Sequence, residues 1–261
     1  MKFLKKSLGQ NFLIDQNIIR KIVNLVEVKN RHIVEIGPGD GALTKEILNK
    51  KPKSLVVIEK DSALVSKLKL KFLNEKIEII NDDILKFDLE RKIKEKSIIF
   101  GNLPYNISSQ ILVKLLKFKI WPPNFSDLVL MFQKELSDKI NGKYLSTHYG
   151  RLYILSNYRM KIIKKFIVSK NCFFPKPKIT SQIIHLCPKN FKKYSIKDLN
   201  NLEKITNILF SNKRKMINKN IKKILNEKEI NNLIDLRLDQ RPENIKPEMY
   251  YKIAELYERK S

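Results

Sequence analysis

Cysteine is scarce in this 261-residue chain: there are two, Cys172 and Cys187, with no Cys-x-x-Cys spacing. That excludes a disulfide framework, and with only three scattered histidines, His32, His148 and His185, the spacing supports no zinc site, so no metal is expected. Long apolar runs are missing too. No stretch approaches the length of a membrane span, and the basic start Met1-Lys2-Phe3-Leu4-Lys5-Lys6 lacks the apolar segment of a signal peptide. The expectation is a cytoplasmic protein with no membrane partner. Acidic residues are outnumbered, 27 Asp and Glu against 53 Lys and Arg, for a formal charge of +26. Such a surface attracts polyanions by counterion release and loses them as salt rises. An AT-rich genome would also enrich Lys, Ile and Asn, but the electrostatic consequence is the same whatever its origin. No internal repeat or low-complexity linker interrupts the chain.

What is present is a globular pattern, with 43% hydrophobic residues. The short β-branched runs Ile33–Ile36, Leu55–Ile58, Ile77–Ile80, Ile98–Phe100 and Leu128–Phe132 read as strands of a buried parallel sheet. Between them Ala42–Leu48, Ser62–Phe72 and Ser109–Phe118 carry helical spacing, which gives βαβ repetition and a doubly wound α/β fold. Lys161–Val168 and Ser181–Leu186 read as two further strands. They are separated by Asn171–Lys178, whose prolines are expected to forbid regular structure. After Pro188 the texture is helical, with Leu202, Ile205, Leu209, Met216, Ile217, Ile221, Ile224 and Leu225 at helical intervals. The expected division is therefore 1–188 and a small all-helical domain over 189–261. Lys192 to Lys223 holds ten basic residues and two acidic ones, Asp198 and Glu203. A solvated helical face accounts for that cluster as well as a polyanion site does.

The first strand runs into Glu35-Ile36-Gly37-Pro38-Gly39-Asp40-Gly41-Ala42. Gly37, Gly39 and Ala42 formally satisfy the dinucleotide pattern, which leaves a nicotinamide or flavin enzyme open. Gly41 inside the pattern and Glu35 ahead of it resemble the first motif of S-adenosylmethionine-dependent methyltransferases, where the backbone approaches a nucleoside and an amino acid. Glu59 closes the second strand, where a carboxylate accepts from ribose hydroxyls. Asp83, with Asp82 as an alternative, follows the third strand and is placed to accept from the cofactor's adenine amino group.

The fourth strand ends in Asn102-Leu103-Pro104-Tyr105, at the edge where open α/β sheets bind ligands. The exocyclic amino group of adenine is a poor nucleophile because its lone pair is delocalised into the ring. Two acceptors on its hydrogens draw the nitrogen towards tetrahedral geometry. The Asn102 side-chain oxygen and the Leu103 carbonyl can supply them, with Pro104 stiffening the turn. Tyr105 offers a face for stacking, worth roughly 1–3 kcal/mol per base. Phe173-Phe174 forms a second candidate aromatic shelf, although aromatics beside prolines are more often ordinary packing.

Taken with Lys6-Ser7-Leu8-Gly9-Gln10-Asn11-Phe12-Leu13 and Tyr149-Gly150-Arg151-Leu152, these motifs closely resemble the ribosomal RNA adenine dimethyltransferases along essentially the whole chain. The resemblance implies a Rossmann-like class I methyltransferase domain followed by a helical RNA-binding domain. It implies S-adenosyl-L-methionine as cofactor, a monomer, and as partner 16S rRNA in the small ribosomal subunit or its late precursor. The implied reaction gives two adjacent N(6),N(6)-dimethyladenosines in the 3′-terminal hairpin loop. Carried over motif by motif, cofactor contacts fall on Asn11, Leu13, Gly37, Gly39, Glu59, Asp83 and Asn102. The target base falls to Asn102, Leu103, Pro104, Tyr105 and, as stacking partner in preference to Phe174, Phe173. Lys213-Arg214-Lys215 stands where relatives carry a basic cluster. The family's Val-Asp-Ser is here Ile179-Thr180-Ser181, so the Asp expected to position that loop is missing. A 23S-type or DNA adenine methylase, and an RNA-binding assembly or transcription factor that keeps the fold without catalysis, are the rival readings.

Overall fold

The computed structural model describes residues 11–190 and 193–259, so Lys6 to Gln10 of the N-terminal motif lie outside the described residues. The described chain enters through β1 (Phe12–Leu13) and α1 (Gln16–Val23). The Asp15 carboxylate caps α1, accepting from the backbone of Asn17 and Ile18 at 2.9 and 3.0 Å, and Ile19, Ile22 and Val23 are its buried face.

Five strands then alternate with helices: β2 (His32–Ile36), α2 (Ala42–Asn49), β3 (Ser54–Glu59), α3 (Ser62–Lys71), β4 (Ile77–Asn81), α4 (Leu89–Lys92), β5 (Ser97–Asn102), α5 (Ser108–Leu116) and β6 (Phe125–Gln133). Each strand read from the sequence is present and extends a residue or more beyond its apolar run. After α6 (Lys134–Ile140) and α7 (Arg151–Arg159) come β7 (Met160–Val168), β8 (Phe173–Phe174) and β9 (Ser181–Pro188). The main sheet has seven strands in the order β4-β3-β2-β5-β6-β9-β7; β4 to β6 are parallel, and β9 lies antiparallel to β6. Order reverses at β2, whose neighbours β3 and β5 lead to opposite edges. That is a topological switch point, where ligand crevices form. Val34, Ile36, Val57, Ile98, Ile99 and Phe100 are buried along the central strands, because helices cover both faces. At the far edge β7 exposes Lys161, Lys164 and Lys165, charges that discourage addition of another strand.

The proline-rich segment departs from expectation. Phe173 and Phe174 precede the first proline and keep their N–H groups, so they pair antiparallel with Leu13 and Phe12 as a two-stranded ribbon. The prolines bar regular structure only from Pro175 onward.

Packing divides the chain into two compact units. Among the described residues the first holds 11–114, 120–137 and 162–188, and the second 115–119, 138–161, 189–190 and 193–259. The second unit takes in α7 as well as the C-terminal elements, because tyrosines of that region bond to them. The Tyr149 hydroxyl donates to the Ile245 carbonyl at 2.7 Å and the Tyr251 hydroxyl to Ile154 at 3.1 Å. The buried Arg159 guanidinium donates to the carbonyls of Leu116 and Phe118, the end of α5 and the turn after it. Within this unit α8 (Leu199–Phe210) buries Leu202, Ile205 and Leu209, followed by α9 (Asn218–Ile221), α10 (Glu227–Asn231) and α11 (Pro247–Glu258). Among the described residues no strand follows Pro188. Met216 falls outside the helices and is exposed, while its neighbour Ile217 is buried.

Candidate active site

The C-terminal ends of β2, β3, β4 and β5 open onto one cleft at the switch point. From β2 comes the turn Gly37–Gly41, with φ of +67°, +61° and +80° at Gly37, Gly39 and Gly41, values that L side chains rarely adopt. A Cβ at Gly39 would lie 2.9 Å from the Phe12 ring, and one at Gly41 2.7 Å from Phe72. At Gly37 a Cβ would meet nothing closer than the Asn102 carbonyl at 3.7 Å, so glycine there leaves the cleft open beside the target turn.

Two carboxylates lie beneath this turn. Glu35 is buried, accepts from the Thr44 hydroxyl at 2.6 Å, and has its pKa pushed up to about 8 by burial, with Asp40 and Glu59 adding repulsion. Glu59 accepts from the backbone of Asp61 at 2.9 Å and Gly39 at 3.3 Å; burial raises its pKa against those hydrogen bonds. From β4, Asp83 pairs with Lys60 at 2.8 Å and accepts from Leu85 at 3.0 Å, and the Lys60 hydrogen bond lowers its pKa. Asp82 also lines the cleft but bonds to the Asp83 backbone at 2.6 Å.

Asn102 is the last residue of β5. Its Nδ2 donates to the Asn11 carbonyl at 3.0 Å, which fixes the amide orientation and leaves Oδ1 as the acceptor end. Asn11, given a role only by resemblance, thereby holds the target turn. Leu103 is buried, Ile107 closes the turn onto the Pro104 carbonyl at 3.2 Å, and the Tyr105 hydroxyl bonds to Ser181 Oγ at 2.5 Å. Ser181 pairs with Gln133, and the Thr180 carbonyl accepts from Lys134 at 2.9 Å. Backbone bonds therefore position the loop that lacks the family's Asp.

Asn11, Leu13, Gly37, Gly39, Glu59, Asp83, Asn102, Leu103, Pro104 and Tyr105 all line this cleft. Phe173 does not. It is 3% exposed and packed in the core with Leu13, whereas Phe174 is 47% exposed. Directly opposite residues of an antiparallel pair share a face, so the register Phe12↔Phe174 puts Phe174 on the face of Phe12, which lines the cleft. Phe173 thus sits in the core and Phe174 is the more open ring of the pair, and neither is among the residues that line the cleft. Lys213, Arg214 and Lys215 are exposed in the turn after α8, in the second unit, and not on a helical face. Sequence reasoning missed Gly101, where a Cβ would lie 2.6 Å from Leu103 Cδ2. A glycine inside a strand is the signal that could have found it.

A positive-φ glycine turn, acidic side chains and an Asn-Leu-Pro-Tyr turn thus line one cleft. The ribosomal RNA adenine dimethylase model matches residues 1–259. The chain belongs to the ribosomal RNA adenine dimethylase family. Among its relatives, the ribosomal RNA small subunit methyltransferase A of Pelagibacter ubique is 46% identical over 97% of both chains. That of Malacoplasma penetrans is 42% identical over 97% of this chain and 91% of its own. A dimethyladenosine transferase from Plasmodium falciparum superposes with a TM-score of 0.74 at 25% identity, covering 95% of this chain and 98% of that one. The 23S rRNA methyltransferase ErmE shares the fold, with a TM-score of 0.68 at 22% identity, covering 95% and 99%. As a dimethylase-family enzyme the chain uses S-adenosylmethionine, and the open space at Gly37, flanked by Glu59 and Asp83, fits a nucleoside with an amino-acid arm.

Proposed function

We propose that this dimethylase acts as a monomer in the cytoplasm on 16S rRNA of the small subunit or its late precursor. It converts two adjacent adenosines of the 3′-terminal hairpin loop to N(6),N(6)-dimethyladenosine. The observation that carries the reading is the Asn102 amide, held by the Asn11 carbonyl at the end of β5, facing the glycine turn of β2.

S-adenosylmethionine, when bound, supplies a methyl group activated by a sulfonium. Gly37 and Gly39 admit it to the backbone, Glu59 takes the ribose hydroxyls and Asp83 the adenine amino group. On the target side Asn102 Oδ1 and the Leu103 carbonyl accept the two N6 hydrogens, which orients the amine and frees its lone pair. Alignment of this kind lowers a barrier by about 7–11 kcal/mol in well-oriented systems. Once methylated the nitrogen is acidic, and its proton leaves to water past the same acceptors, so no strong base is needed. In the second round only one N6 hydrogen remains, and a single acceptor is enough to orient it. The target must leave its stack, which costs least in a loop. Tyr105, with its hydroxyl tied to Ser181, and Phe174 supply the aromatic faces. The helical domain over 189–261, with Lys213, Arg214 and Lys215, tracks the phosphate backbone.

The test is incubation with labelled S-adenosylmethionine and unmethylated small subunits, with nucleosides read by mass spectrometry. Dimethyladenosine in the 3′-terminal hairpin is expected. Its absence, or undiminished product from Asn102→Ala, would overturn the reading, and product on 23S rRNA or DNA alone would favour a rival substrate.

A further inference from the structure

At the opposite end of β6 from the cleft, three residues remote in sequence converge. Asp127, near the start of β6, faces His185 and Cys187 of β9, because the antiparallel register pairs Leu128 with Leu186 and Val129 with His185. His185 Nε2 lies 2.7 Å from Asp127 Oδ1, Cys187 Sγ 3.2 Å from the same oxygen, and Sγ 3.6 Å from Nε2. All three ligand atoms fall within 4.8 Å of one another. We propose that Asp127, His185 and Cys187 form a binding site for a divalent cation of the zinc class, tying β6 to β9.

Tetrahedral coordination at ordinary zinc bond lengths sets sulfur and nitrogen about 3.6 Å apart, sulfur and oxygen about 3.6 Å, and nitrogen and oxygen about 3.4 Å. The sulfur–nitrogen separation already has that value, and the sulfur–oxygen one is short by a few tenths of an ångström. The nitrogen–oxygen pair is a hydrogen bond at 2.7 Å, which a metal opens by a small side-chain rotation. One thiolate, one imidazole and one carboxylate select zinc-like ions over magnesium or calcium. Water completes the set, since Asp127 and Cys187 are only partly buried.

The surroundings support the carboxylate as a ligand. Asp127 Oδ2 accepts from Ser126 Oγ at 2.6 Å, and that hydroxyl accepts from Arg31 at 2.7 Å. Arg31 is held in turn by the Lys96 carbonyl at 2.6 Å. This chain orients Oδ1 towards His185, the kind of outer support on which metal affinity depends. Ligation takes the Cys187 thiol proton to solvent and leaves His185 to bind through unprotonated Nε2.

The experiment is titration of the full, untagged chain with Co2+, followed by the thiolate-to-cobalt charge-transfer band, and with Zn2+ in competition. One cobalt per chain is expected, displaced by zinc. The charge-transfer band should be lost in Cys187→Ser and kept in Cys172→Ser. Ser126→Ala should weaken affinity roughly tenfold without loss of fold. Absence of the band, or a band that survives Cys187→Ser or His185→Gln, would overturn the proposal. If Cys187→Ser does not fold, X-ray absorption on the unaltered zinc-loaded chain decides. A shell of one sulfur at about 2.3 Å with nitrogen and oxygen at about 2.0–2.2 Å supports the site, and a shell without sulfur overturns it.

Discussion

The two walls of the cleft are built on neighbouring strands and by opposite means. The wall from β2 and β3 is conformationally locked and acidic: positive-φ glycines over Glu35 and Glu59, both buried. The wall from β5 is neutral, an amide, a carbonyl and an aromatic ring, each pinned by one hydrogen bond or by proline. A cationic cofactor rewards buried carboxylates, which are otherwise costly. An uncharged base rewards shape and acceptors. The contrast separates what a substitution removes on each side.

The largest expected effect concerns the aromatic shelf. Phe173→Ala empties a core position and should cost about 3–5 kcal/mol of unfolding free energy. Phe174→Ala should leave the denaturation midpoint nearly unchanged and instead raise KM for RNA, by the roughly 1–3 kcal/mol of a stacked base. Denaturant melts beside RNA kinetics would reverse the assignment if the two phenotypes exchanged. Next, Asn102→Ala should lower kcat by about 10²–10³-fold, the usual cost of deleting one preorganised polar group, with cofactor affinity falling less. Equal losses in both would erase the distinction between the walls. Glu59→Gln should act on the other side, weakening S-adenosylmethionine by about 1.5–3 kcal/mol in calorimetry while kcat at saturation changes little.

The last expected effect is a slope. Glu35 has a folded pKa of about 8 against an ordinary 4.5, so the folded chain holds a proton that the unfolded chain releases between those values. Stability should therefore fall as pH rises from about 4.5 to about 8, and Glu35→Gln should flatten that fall in denaturation measured across the window. A cation placed near Glu35 favours its ionised form, so cofactor binding near neutral pH should release a proton that the Gln variant does not. Calorimetry in buffers of different ionisation enthalpy reads this directly.

The parallel strands were legible because both their faces are buried, which writes a continuous β-branched run into the sequence. The glycine turn and Asn102 were legible because their backbone and side-chain demands are local. Phe173 was not. In a two-residue strand there is no alternation from which to tell the inward ring from the outward one, and the register that decides it comes from Phe12 and Leu13, far away in the chain. The Asp127–His185–Cys187 cluster was hidden for the same reason: strand register, and not spacing, brings it together. Helix α7 escaped notice because its buried residues include Ser156 and Arg159, polar groups that bond to backbone carbonyls.

The reversed strand β9 governs the order in which the sheet can be finished. In the strand order β7 touches only β9, which comes later in the chain, while β6 waits for the same partner on its open side. During synthesis β4, β3, β2, β5 and β6 can assemble as soon as they emerge, but β7 must remain without a strand neighbour until residues 181–188 follow it. Two edges are thus closed by one late event. The same insertion brings Ser181 to Tyr105, so the target-base wall acquires its anchor at the last step of sheet formation.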